Sequence, residues 1–92
     1  MALVITTRDQ AFELIGTLDA SNVDIFQSHF EAVLDESNEL EININALDRI
    51  DNKGVWAFEE LYREILKNDK RLYITGLGSK DMFEHLRTID AA

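Results

Sequence analysis

The chain has 92 residues, 46% hydrophobic and 29% charged, which fits a single globular domain over residues 1–92 and excludes disordered or collagen-like sequence. Nine Lys and Arg against 18 Asp and Glu leave a net charge of −9, which repels phosphate backbones and anionic lipid and argues against a nucleic-acid partner. Cysteine is absent, so disulfides, thiolate metal sites and cysteine nucleophiles are excluded; the short run Ala2 to Ile5 is neither signal peptide nor membrane span, and a cytoplasmic protein is expected.

Leu3, Val4 and Ile5, then Ala11 to Ile15, are apolar runs separated by Thr7, Arg8, Asp9 and Gln10, which predicts a hairpin of two strands. Ser21 with Asp24 three residues on has the spacing of a capping box, and Val23, Phe26, Phe30, Val33 and Leu34 recur at helical spacing. A first helix is expected from Ser21 to Glu36. Leu40, Ile42 and Ile44 alternate with Glu41, Asn43 and Asn45, the period of a strand with one buried face. A loop is expected from Leu47 to Asn52. Phe58, Leu61, Tyr62, Ile65 and Leu66 mark a second helix ending near Asn68, and Arg71 to Thr75 alternate as a further strand. Gly76 to Ser79 reads as a turn, with Ser79 capping a last short helix that carries Met82, Leu86 and Ile89.

Strands separated by helices imply right-handed crossovers and parallel pairing. The clean alternation of the later strands puts one sheet face in solvent. The expected fold is therefore α/β, a one-sided right-handed βα superhelix with a mixed sheet of about four strands and three helices. Partners of such a sheet meet the loops at the carboxyl ends of the strands, here Asp19 to Asn22, Leu47 to Gly54 and Gly76 to Ser79.

The chemistry-bearing residues offer little else. His29 and His85 fall on different helices without metal-ligand spacing, so no metal and no cofactor is expected. Gly76-Leu77-Gly78-Ser79 follows a strand and precedes a helix, but Asp81 would stand where a dinucleotide fingerprint needs its third glycine. Asp48 and Asp51 imitate a carboxylate pair without a cluster of pocket residues around them. Catalysis and a small-molecule substrate are not expected. Asp51 or Asn52 suits the cap of the second helix, and Asp19 suits either the first helix's positive end or a partner. Gly54, in the first helical turn, implies close packing or close approach of a partner. Trp56 falls off the apolar stripe, as a candidate interface anchor.

Gly16-Thr17-Leu18-Asp19-Ala20, Ile50-Asp51-Asn52-Lys53-Gly54 and Leu72-Tyr73-Ile74-Thr75-Gly76-Leu77 together resemble the STAS domain family, named for sulfate transporters and anti-sigma factor antagonists. The resemblance runs from about Phe12 to Asp90. It implies a non-enzymatic docking module that meets a kinase-like anti-sigma factor or, alternatively, serves as accessory subunit on the ATPase of an ABC-type lipid transporter. It also implies a partner surface built from Asp19, Asn22, Asp51, Asn52, Lys53, Gly54, Trp56 and Leu77. Phosphorylated members open the second helix with Asp-Ser-Ser-Gly or Asp-Ser/Thr-x-Gly, whereas Asn52 and Lys53 hold both hydroxyl positions here. No phosphoacceptor is expected, with Lys53 at its position. The family usually adds a strand and a helix after the position of Asp90, so a minimal form lacking both is expected.

Overall fold

The computed structural model describes residues 2–8 and 11–90. Strands β1 (Leu3–Arg8) and β2 (Ala11–Leu18) form the expected antiparallel hairpin, longer than the apolar runs alone suggest. Asp9 and Gln10, expected between the two strands, lie outside the described residues. Helix α1 (Val23–Glu36), strand β3 (Glu39–Asn43), strand β4 (Leu47–Ile50), helix α2 (Asn52–Lys67), strand β5 (Arg71–Thr75) and helix α3 (Ser79–Asp90) follow.

One expectation is corrected outright. The segment from Leu47 is not all loop, because Leu47–Ile50 pairs with the end of β2 as a parallel strand. Only four residues long, it shows no readable alternation, and its ends Leu47 and Ile50 are merely half-buried. The sheet thus has five strands, ordered β1-β2-β3-β5, with β4 paired to β2. β3 and β4 lie one after the other along the same side of β2: Ala11 to Glu13 pair with Glu41 to Asn43, and Gly16 to Leu18 pair with Leu47 to Ile50. β3 stops at Asn43 because the chain turns, Leu47 N donating to Ile44 O at 3.1 Å.

The alternation predicts the layers correctly. Leu40 and Ile42 on β3, and Leu72 and Ile74 on β5, point into the core, while Glu39, Glu41, Arg71 and Tyr73 stay exposed on the uncovered face. The helices cover the other face with Phe26, Phe30, Phe58, Ile65 and Leu86, all essentially inaccessible. Phe26 joins the two longer helices, its ring 4.9 Å from Phe30 and 5.0 Å from Phe58, contacts that add specific aromatic geometry to area burial. No helix among the described residues is long and apolar enough to cross a membrane.

Candidate docking surface

Three connections gather at the carboxyl end of the parallel strands, and each is held by its own short polar side chains. After β2, Asn22 Oδ1 accepts the Asp19 amide at 3.0 Å and Asn22 Nδ2 donates to Thr17 O at 2.8 Å. Asn22 is 6% exposed. Both ends of its amide are used within the chain, so Asn22 shapes the loop from inside. The helix starts at Val23, two residues after the expected Ser21, with Asn22 as N-cap. Ser21 instead turns back on Asp19, donating to Asp19 Oδ1 from its amide at 2.9 Å and its hydroxyl at 2.5 Å. Those two donors hold the Asp19 carboxyl below its ordinary value of 3.8, the hydroxyl contributing most.

Asp51 caps α2. Its Oδ1 accepts from Gly54 N at 2.9 Å, and its Oδ2 accepts from Ala20 N at 3.4 Å across 31 residues. The same carboxylate thus closes the first turn of α2 and ties it to the β2–α1 loop. Gly54 is buried under β2: a Cβ there would stand 2.6 Å from both Ile50 Cγ1 and the Leu18 carbonyl oxygen. Of the two readings open for Gly54, close packing is the one the structure shows. Asn52 and Lys53 project into solvent.

The third connection leans on the β3–β4 turn, where Leu77 N donates to Asn45 Oδ1 at 3.2 Å. Gly76 has φ +95°, and a Cβ would come within 2.7 Å of Asn43 Oδ1 and Asn45 N, so only glycine fits that crossing. Leu77 is 83% exposed, the most open large apolar residue described. It borders a groove of about 540 Å³ whose apolar lining includes Leu47, Ile50, Val55 and Met82, with Asp48, Asp81 and His85 at its margin. His85 Nε2 meets Glu59 Oε2 at 2.8 Å beside it. Trp56, 43% exposed, lies on α2 but does not line the groove.

A profile of the STAS domain matches residues 2–88. The chain belongs to the STAS domain family. Among solved structures, the STAS domain superimposes on the anti-sigma factor antagonist SpoIIAA in its unphosphorylated form with TM-score 0.62, 13% identity, and coverage of 94% of this chain and 98% of that one. An anti-sigma factor antagonist from Mycobacterium paratuberculosis gives TM-score 0.66 at 17% identity, covering 98% of this chain and 80% of that one. Mglu gives TM-score 0.62 at 15% identity over 77% of this chain, which spans only 18% of Mglu's length. These likenesses establish a shared fold. Comparison with curated protein sequences yields no match.

Of the expected surface of this STAS domain, Asp19, Asp51, Asn52, Lys53, Trp56 and Leu77 are accessible at or near the loop end. Asp81, Met82 and His85 of α3 join it from outside the three expected loops, and Asp48 and Arg49 join it from within the expected Leu47 to Gly54 segment. His85, three residues after Met82 and so on the same side of α3, shares the groove with it and with Leu77. Among the described residues no group of three or more metal-ligating side chains comes together.

Proposed function

We propose that this STAS domain is a non-enzymatic docking module of the anti-sigma factor antagonist kind, which binds a kinase-like anti-sigma factor in the cytoplasm through the loop end of its sheet. The observation that carries this reading is the exposed apolar side of that end. Leu77 stands open over a groove floored by Leu47, Ile50 and Met82, beside a loop cluster braced by Asp51 and Asn45. Braced loops around an apolar cleft suit protein recognition, because little ordering entropy is lost on binding and the buried anchor supplies most of the affinity.

Regulation by phosphate at the start of α2 is absent from this reading. Asp51, Asn52, Lys53 and Gly54 offer no hydroxyl, and no Ser or Thr occurs between Asn38 and Ile74. The domain then acts as a ligand that its partner's kinase activity does not remove. Affinity capture from native cells, followed by titration of the captured partner with wild type and Leu77→Ala, tests the assignment. A kinase-like protein bound about tenfold or more weakly by the variant is expected. Capture of an ABC-type ATPase would move the domain to a transporter, and binding through the uncovered face around Glu41 and Tyr73 would overturn the surface. Incubation with the captured kinase and ATP is expected to leave residues 45–55 unmodified on peptide mapping.

A further inference from the structure

β1 is an edge strand whose backbone is half-used. Thr17 N donates to Ala2 O, and with the register Leu3↔Gly16 to Arg8↔Ala11 this makes Val4, Thr6 and Arg8 the residues that exchange bonds with β2. Leu3, Ile5 and Thr7 therefore turn their N–H and C=O groups away from the sheet. No described strand pairs with that side. Most of the usual protections of an edge are missing from the strand: Leu3–Arg8 contains no Pro, no Lys and no inward-pointing charge, and its one charged residue, Arg8, stands at its end.

We propose that β1 pairs antiparallel with β1 of a second copy of this chain, about a two-fold axis through Ile5. Three observations select a second copy over another occupant. First, the outward groups are self-complementary. With Ile5 facing Ile5 of the partner subunit, Leu3 faces Thr7 of the partner subunit, and every outward N–H meets a C=O; a shift of two residues either way leaves one of the three unmatched. Second, charge permits it. Each copy carries −9, yet Leu3–Arg8 holds none of the 18 acids, so this edge brings two copies together without placing carboxylates against each other. Third, Leu3 and Ile5 are half-buried against the rim of the core. The same two residues from a second copy continue that apolar row across the axis.

The free edge at β5 fits less well. Arg71 N bonds to Asn38 O and Thr75 O accepts from Ile44 N, which leaves only Leu72 and Ile74 facing outward on β5. Pairing β1 to β5 of another copy would be heterologous and would not close. The β1 edge belongs to none of the docking loops, so this inference stands apart from the proposed function. Edge pairing covers less area than the roughly 1,200 Å² of a stable interface, and the dimer is accordingly weak and concentration-dependent.

Sedimentation of the full chain from micromolar to millimolar concentration, at low and high NaCl, measures it. A reversible dimer that tightens with salt is expected, since salt screens the repulsion of two acidic copies and no ion pair spans the edge. Thr7→Pro deletes only an outward donor, which edge strands tolerate. Two symmetric bonds are lost, and association should weaken about tenfold or more. The register is read separately by cysteine pairs. Val4 and Thr6 of the partner subunit would be direct neighbours, so a mixture of Val4→Cys and Thr6→Cys should oxidise to the mixed disulfide in preference to either homodimer. That arm holds even where Thr7→Pro fails to fold. A monomer at millimolar concentration, a dimer indifferent to a folded Thr7→Pro, or cross-linking without the mixed preference would overturn the proposal.

Discussion

The Ala20 amide donates to the Asp51 carboxylate at 3.4 Å, so the loop that ends β2 is fastened to the first turn of α2 by a residue that also caps that helix. One side chain thus sets both the start of α2 and its position against the neighbouring loop. Removing it affects two elements. Asp51→Ala should lower stability by about 1 to 2 kcal/mol, the size of a lost N-cap, as measured by chemical denaturation. Asp51→Asn keeps an acceptor for Gly54 N and should recover most of the loss. Equal losses in both variants would mean that the carboxylate's charge, not its geometry, does the stabilising.

Gly54→Ala separates packing from helix propensity. Alanine in a helix is favoured over glycine by about 1 kcal/mol, yet the new methyl would meet Ile50 Cγ1 and the Leu18 carbonyl oxygen at 2.6 Å. Ile50 can rotate aside; the Leu18 carbonyl, held in the β2–β4 ladder by the Asp51 amide at 3.2 Å, cannot. Overpacking costs about 1 to 3 kcal/mol and should win, giving a net loss of up to about 2 kcal/mol in denaturation. A gain in stability would show that β2 yields and that packing does not require glycine there.

The same residues show where sequence was legible. Period two in Leu40–Ile44 and Leu72–Ile74 predicts which sheet face is covered, because each of those strands is wetted on one side only. β4 escapes because its order comes from pairing with Gly16 to Leu18, a long-range contact with no local pattern. Asn22 has the composition of a docking or capping residue, and only the three-dimensional turn decides that its amide is spent on Asp19 and Thr17. Leu77, by contrast, follows a strand and sits between glycines, and its exposure is readable from that setting alone. The groove beside it unites β4, α2 and α3, so its lining depends on the fold.

Ser21 controls the charge of Asp19. Its hydroxyl and amide hold the Asp19 carboxyl below 3.8, so the folded state binds that proton less readily than the unfolded chain. The stabilisation is fully present above 3.8 and is lost as pH falls through the lower folded value. Ser21→Ala should move the carboxyl toward its ordinary value in an NMR titration. The stability difference between wild type and Ser21→Ala should be largest near neutrality and shrink below about pH 4. A difference that stays constant through acid would assign the effect to the helix-start geometry and not to the carboxylate.

Lys53 tests whether this surface is shaped by binding or by drift. It occupies the first turn of α2, which contains no acidic residue, and its ammonium faces the positive end of the helix dipole from an exposed position. Lys53→Ser removes that opposition and Lys53→Asp reverses it, so both should raise stability, by about 0.3 to 1 kcal/mol for the aspartate. Folding alone therefore prefers the substitution. Where the lysine serves docking, the same variants bind the native partner more weakly, and more so for aspartate because the charge is inverted. Denaturation and binding titrations on the three proteins decide the matter together. Higher stability with lost affinity is the expected outcome; higher stability with unchanged affinity would show that the cation does nothing for the partner and that α2 docks through its neighbours alone.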